Sequence, residues 1–357
     1  MAGSGAQLDR EKARRIAQEV VADAGGAMHA ALCYIGDRLG IFKAMMDSGA
    51  MTADQLAART GLKTRYLREW LGAMAAAHYV DYDRDAQTFI LGPEYAAALA
   101  DEDSPFFVAS YFQMAQAAMT VAPKVAEAFA KGGGVTQAEY PPSLFEAFER
   151  NSGTRYKHKL LHKWLPSMPQ VVDALEAGGT MVDIGCGGGR AAIMIAQAFT
   201  RARVVGLDLH RESIERARRR AAKAGLSDRV VFEVGEGSEL APENFDFIST
   251  FDVIHDAADP AALMRSMRRA LKSSGTCLVQ EINVSHELSE NLSPLGKMAY
   301  SISTLYCLTT SLANHGAGMG IAMGEPKARE LAAGAGFSRF QRLPIKDDVV
   351  ALFELRP

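Results

Sequence analysis

From Gly179 to the C-terminus, short apolar runs alternate with amphipathic ones, and no other feature of the 357-residue chain limits its fold as much. TMVDIG, RVVGLDL, RVVFEVG, FDFISTFDVI and GTCLVQEINV read as strands. RAAIMIAQAF, RESIERARRRAAKAG and PAALMRSMRRALKSSG read as the helices among them, with Gly225 stopping the second. Such repetition predicts an α/β fold with a parallel, doubly wound sheet. The tail FSRFQRLPIKDDVVALFELRP gives two further strand-like runs around a turn, an antiparallel hairpin at the end of that sheet.

The first hundred residues follow another pattern. Thr52 and Gln55 stand at capping-box spacing, and Leu67, Leu71 and Met74 share one helical face. YVDYDRDAQTFIL then alternates around a turn, so helix, turn, helix and hairpin predict a mostly helical winged-helix domain. The segment KGGGVTQAEYPPS, Lys131 to Ser143, breaks the region that follows, and its glycines and paired prolines suggest chain laid over another domain. The expected division is 1–100 for the winged helix, 101–177 for a connecting and lid region, and 178–357 for the α/β domain.

Composition removes several function classes. A net charge of −3 gives no general attraction to nucleic acid or anionic membrane, and no apolar run reaches the ~18 residues of a membrane span. Charges in MAGSGAQLDREKARR occupy the place of a signal peptide's apolar core. Cys33, Cys186, Cys277 and Cys307 form no CxxC pair and read as reduced thiols, which together predict a cytoplasmic protein.

Between the first strand and its helix lies Asp183-Ile-Gly185-Cys-Gly187-Gly-Gly189. A dinucleotide site asks for GxGxxG, but Arg190 occupies the last position, and the P-loop pattern GxxxxGK[ST] is absent. Asp208 ends the next strand about 20 residues on, where an acid can accept ribose hydroxyls. Val234-Gly235-Glu236-Gly237 ends the following strand, and FDVIHDAADP, Phe251 to Pro260, ends the fourth. The spacing DxGxGxG resembles motif I of class I S-adenosylmethionine-dependent methyltransferases. From about Ala30 to the C-terminus the chain is similar to small-molecule O-methyltransferases with an N-terminal winged-helix dimerisation domain.

That resemblance implies a Rossmann-like sheet holding S-adenosyl-L-methionine, released as S-adenosyl-L-homocysteine, without a metal. Donor residues would be Asp183, Gly185, Gly187, Gly189, Asp208, Leu209, Gly235, Glu236, Phe251 and Asp252. His255 would remove the acceptor's proton and Glu281, in LVQEIN, would orient it. Ala257 stands where the family commonly has Trp, and IHDAADP is closer to a bacterial subgroup. Some of its members resemble enzymes that methylate a thioether to a sulfonium, as in dimethylsulfoniopropionate synthesis.

The two acceptor chemistries make different demands. A hydroxyl must lose a proton, which suits a histidine, whereas a thioether becomes cationic and favours aromatic faces or carboxylates. Tyr140, Arg155, Tyr156, Tyr300 and Tyr306 are candidate substrate residues in the expected covering segments, which include the insertion Met298 to Pro326. Arg155, Lys157 and Lys159 could anchor an acidic substrate or form a solvated helix face. A rival reading is a regulator that binds DNA or senses the cofactor without turnover. Acids and bases balance between Ala50 and Gly92, which predicts a homodimer contact there rather than a phosphate-tracking surface.

Overall fold

Thr52 and Gln55 cap each other, with Thr52 N–H donating to Gln55 Oε1 at 2.7 Å and Gln55 N–H to Thr52 Oγ1 at 3.2 Å. The cap starts helix α2 (Ala53–Thr60), which comes after the long α1 (Arg10–Arg38) and a single turn at Ile41–Met45 in the computed structural model, whose description covers residues 8–357. α3 (Thr64–Ala76) and the antiparallel wing β1 (Asp81–Asp83) and β2 (Thr88–Ile90) complete a winged helix. Leu67, Trp70, Leu71 and Met74 bury one face of α3 in the core of this unit, where Trp70 Nε1 donates to Leu32 O at 2.9 Å. The apolar face of α3 is therefore already used. The chain forms two units, Met1–Gln116 and Ala117–Pro357.

The second unit opens with helices and continues as a seven-stranded sheet. Its strands are β3 (Thr180–Ile184), β4 (Arg203–Asp208), β5 (Val230–Val234), β6 (Phe245–Phe251), β7 (Leu271–Ile282), β8 (Arg339–Arg342) and β9 (Val350–Arg356). Their order is β5-β4-β3-β6-β7-β9-β8, parallel except for β9 against β7 and β8 against β9. The chain moves outward from β3 to β5 and then returns to place β6 on the other side of β3. The crevice beyond the carboxyl ends of β3 and β6 is thus the topological switch point, where open α/β sheets bind ligands.

Helices α4 (Pro142–Arg155), α5 (Arg190–Ala198), α6 (Arg211–Lys223), α7 (Pro260–Ala270) and α8 (Gly324–Gly334) flank this sheet. Leu160, Trp164, Ile195 and Ala217 fill one side and Met264, Met267, Leu331 and Phe353 the other. The run TRYKHKLLHK is therefore no solvated helix face throughout: Tyr156 and Leu160 are buried, and Lys159 pairs with Asp347 at 2.6 Å. Residues Tyr156–Trp164 wind as a π-helix, as do Ser303–Cys307 in the helical insertion Pro294–Ala313. The glycine-proline segment lies against that insertion, with Val135 N–H donating to Thr309 Oγ1 at 3.0 Å and Tyr140 Oη to Leu305 O at 2.7 Å.

α7 ends at Ala270, earlier than the sequence pattern suggests. Leu271 is already extended and pairs with Phe245, while Lys272 Nζ binds Asp246 Oδ2 at 2.8 Å. Among the described residues no helix is long and apolar enough to cross a membrane.

Candidate active site

β3 runs into a turn in which Gly185, Gly187 and Gly189 all have positive φ, and α5 begins at Arg190. Cys186 N–H donates to Leu207 O at 2.9 Å and Gly187 N–H to Asp208 Oδ2 at 2.8 Å, fastening the turn to β4. Asp208 Oδ1 takes the His210 N–H at 2.8 Å. A Cβ on Gly189 would come within 2.5 Å of Phe232 and 2.9 Å of Ala217, so close packing excludes a side chain there. At Gly187 the nearest atom to a Cβ would be Glu149 Cγ at 3.9 Å. The backbone at that glycine faces the crevice with room beside it.

Beneath the turn, Asp183 is almost fully buried. Its Oδ1 accepts from Ser249 Oγ at 2.8 Å, while Oδ2 is buried without a partner. Burial pushes its carboxyl up to about 7, and burial raises Asp208 as well. A buried oxygen with no donor is costly unless something supplies one.

α4 lies across the strand ends. Phe145 stacks on the His210 ring at 3.9 Å beyond β4. One turn on, Glu149 accepts from Arg216 Nη2 at 2.7 Å and Arg220 Nη1 at 2.6 Å, and that same Arg220 nitrogen donates to Gly188 O at 2.7 Å. At its end, Arg155 Nη2 meets Asp252 Oδ2 at 3.3 Å, and Gln280 Nε2 donates to Asp252 Oδ1 at 2.6 Å. Asp252 has φ 58, a left-handed conformation for a non-glycine residue, just where β6 ends. Burial raises its carboxyl to about 6, against the pull of Arg155.

Beside this loop, His255 is buried between two carboxylates. Its Nδ1 is hydrogen-bonded to Glu281 Oε2, whose other oxygen accepts from Ile254 N–H at 2.9 Å. Its Nε2 lies 3.1 Å from Asp256 Oδ1. Burial alone would lower the imidazole, but Asp256 and Glu281 overcome it and hold His255 well above its usual range. His255, Asp256 and Cys307 are the one group of three His, Cys or acidic side chains among the described residues whose donor atoms lie within 4.8 Å of one another. The His255–Asp256 ion pair and hydrogen bonds to the Cys307 thiol bring these three groups together. Above it, Tyr306 is met edge-on by Tyr140 at 5.2 Å and Phe148 at 5.0 Å, and its hydroxyl accepts from Gln137 Nε2 at 3.1 Å. Burial raises the Tyr306 phenol, with Asp256 and Asp208 both adding to the shift, so this ring is within electrostatic reach of both sides of the crevice.

Residues 175–333 match a family model described as a methyltransferase domain, and residues 27–101 match one described as an Rv2258c-like winged HTH domain. The chain thus contains a methyltransferase domain and, ahead of it, a winged HTH domain. The 27-O-demethylrifamycin SV methyltransferase of Amycolatopsis mediterranei (strain S699) is 38% identical over 103 residues, 28% of this chain and 38% of that one. The mitomycin biosynthesis 6-O-methyltransferase of Streptomyces lavendulae is 27% identical over 75% of this chain and 78% of its own. Human N-acetylserotonin methyltransferase, solved in complex with S-adenosylmethionine, has the same fold, with a TM-score of 0.66 at 20% identity over 100% of this chain and 99% of that one. The chain spans less than two thirds of the length of the first curated relatives it matches, at 38%, 42% and 54%.

Within the chain, the residues singled out from sequence fall into three groups. Asp183, Gly185, Gly187, Asp208 and Asp252 surround the crevice, and His255 and Glu281 form one hydrogen-bonded pair beside it. Leu209 and Glu236 are exposed beyond β4 and β5, next to the open Gly235. Gly189, Phe251 and Tyr156 pack inward, Tyr156 lying 5.0 Å from Phe251 and Phe251 6.0 Å from Trp164. Tyr140 and Tyr306 share the aromatic box, whereas the Tyr300 hydroxyl accepts from Asn291 Nδ2 at 3.1 Å within the insertion. Sequence reasoning missed Phe145, Glu149, Arg216 and Arg220. Phe145, Glu149 and Tyr156 keep helical spacing, but FEAFER reads as an ordinary surface helix until its partners are known.

Proposed function

We infer that the protein transfers a methyl group from S-adenosylmethionine to a hydroxyl of a small, ring-bearing molecule. His255 takes the acceptor's proton and Glu281 holds the imidazole by its other nitrogen. The observation that carries this reading is the buried His255–Glu281 pair at the end of β7, next to the glycine turn and under the Tyr140–Phe148–Tyr306 box. Glu281 accepts at Nδ1, so it is a neutral imidazole's Nε2 that would accept the proton. A donor bound here would lie along Gly185 and Gly187, with Asp208 toward its ribose and Asp183 Oδ2 toward its ammonium. The unpartnered Asp183 oxygen and the open side of Gly187 fit such a group. When bound, S-adenosylmethionine supplies an electrophilic methyl. The chain's part is to align the acceptor with that methyl, exclude water beneath the aromatic box and move one proton.

Formation of a sulfonium on a thioether acid is the second reading. The aromatic box and the Asp256 carboxylate favour it, because ring faces and a negative charge would stabilise a cationic product. His255→Ala separates the two: a loss of about 100-fold or more in kcat with donor affinity intact supports proton abstraction, and near-normal turnover supports a sulfur acceptor. The regulator reading is disfavoured by the exposed bases of α3, since Arg65 pairs with Glu69 at 2.5 Å and Arg68 with Asp54 at 3.0 Å. A homodimer is part of the proposal. Ile16, Val20, Val21, Met28 and Ile35 leave an apolar stripe exposed along α1, which a second copy would cover. Mass spectrometry of a metabolite panel incubated with methyl-labelled donor tests the function. Calorimetric heat with S-adenosylhomocysteine is expected, and its absence on ligand-stripped protein would overturn the reading.

A further inference from the structure

A general base needs a lone pair, and His255 presents none in this arrangement. Nδ1 is engaged by Glu281, and Nε2 stands at ion-pair distance from Asp256 Oδ1. An imidazole bracketed by two carboxylates carries a proton on each nitrogen, and an imidazolium has no acceptor. The two carboxylates differ in how firmly they are held. Glu281 is 6% exposed and bonded on both oxygens, whereas Asp256 is 28% exposed and its Oδ1 makes no well-aligned hydrogen bond despite the 3.1 Å approach to Nε2. Asp256 faces the aromatic box, as its influence on Tyr306 indicates.

We propose that Asp256 is a positioning residue that blocks Nε2 of His255 in the empty site and is drawn off by the acceptor, so that the enzyme selects acceptors carrying a second hydrogen-bond donor beside the reacting hydroxyl. This rests on the reading of His255 as the base. The proton balance is closed. As the acceptor's second donor engages Asp256, the Nε2 proton leaves through the partly exposed Asp256 carboxylate to water. Neutral His255 keeps its Nδ1 proton on Glu281. Nε2 then takes the proton of the reacting hydroxyl as the new O–CH3 bond forms and the S–CH3 bond of the donor breaks. A simple hydroxyl would leave Asp256 with no replacement partner and His255 still protonated.

The groups facing the imidazole are Glu281 from β7, Asp256 from its own loop, Cys307 from the insertion and Asp252 at the end of β6. Burial pushes the Cys307 thiol up to about 12, so it stays neutral near pH 7. Asp256 is therefore the charge whose removal should free Nε2. Histidine-labelled protein observed by proton–nitrogen correlation reports the charge of His255 without any acceptor, and His255→Gln assigns its signal. The wild type should show an imidazolium at about pH 7, and Asp256→Asn should lower its titration midpoint by about one unit or more. Asp256→Ala provides the same measurement should the amide variant not fold. A neutral His255 in the wild type, or an unmoved midpoint in the variant, overturns the proposal.

In turnover, Asp256→Asn should raise the ratio of kcat/KM at about pH 6 to that at about pH 8.5 by about tenfold, following that shift. A purely structural role would leave the ratio unchanged. Acceptors found in the metabolite panel should carry a vicinal hydroxyl or amine, and equal kcat/KM for singly hydroxylated analogues counts against the idea. Failure of the function itself shows separately, as absence of heat with S-adenosylhomocysteine, while the nitrogen signals still decide the role of Asp256.

Discussion

Alanine at Gly189 and at Gly187 should fail in different ways. Both glycines have positive φ, 75 and 52, so each alanine carries roughly 1–2 kcal/mol of left-handed strain. At Gly189 the new Cβ would also sit 2.5 Å from the Phe232 ring, whereas carbon atoms pack at about 3.5–4.0 Å. Phe232 is buried and cannot swing into solvent, so overpacking adds roughly 1–3 kcal/mol. Gly189→Ala should therefore lose about 2–5 kcal/mol, which lowers Tm by roughly 4–20 °C for a unit of this size. At Gly187 the same methyl meets nothing closer than 3.9 Å and projects into the crevice. Gly187→Ala should unfold within about 2 kcal/mol of the wild type yet bind S-adenosylhomocysteine much more weakly. Urea unfolding followed by circular dichroism and calorimetric titration measure the two effects. Equal stability loss in both variants, or normal ligand affinity in Gly187→Ala, would refute the division between packing and cradle.

Asp183 makes stability depend on pH. Its folded value of about 7 lies above the unfolded one, so its contribution is present in full below about pH 4 and lost as pH rises through about 7, by at most about 1.4 kcal/mol per unit. The stability of wild type minus that of Asp183→Asn should fall across that window, and a flat difference in urea midpoints would contradict the assignment. Glu149→Ala leaves Arg216 and Arg220 without their shared carboxylate. Loss of one partner of a buried pair costs 3–5 kcal/mol, and the partial exposure of Arg220 puts this case at about 3 kcal/mol. Thermal unfolding checks the value. Val20→Asp with Met28→Asp places charge on the exposed stripe of α1 and should convert a dimer to monomers in sedimentation.

The sheet and the glycine turn were legible because their signals are local. β-branched runs such as RVVGLD and VVFEV, closed by Gly or Asp, place strands and their carboxyl ends without knowledge of neighbours. Thr52 and Gln55 mark a helix start for the same reason. What stayed hidden depends on partners distant in sequence. Glu149 gains meaning only from Arg216 and Arg220, 67 and 71 residues away. Lys159 read equally as a substrate anchor or a solvated residue, and its partner Asp347 lies 188 residues on. The π-helical windings at Tyr156–Trp164 and Ser303–Cys307 shift side chains around the helix by one residue, which a 3.6-residue pattern does not register. Asp256 follows His255 in FDVIHDAADP, but its hold on Nε2 required coordinates.

The reach of α4 over three strand ends has a kinetic corollary. A helix is stiff, so it cannot rise at Glu149 and stay seated at Phe145 and Arg155. The chain just before it, Val135 to Tyr140, is tied to the helices that carry Tyr306 and Cys307. Any lifting of α4 would therefore pull on the segment fastened to the helices of Tyr306 and Cys307, so the two sides of the crevice would loosen together.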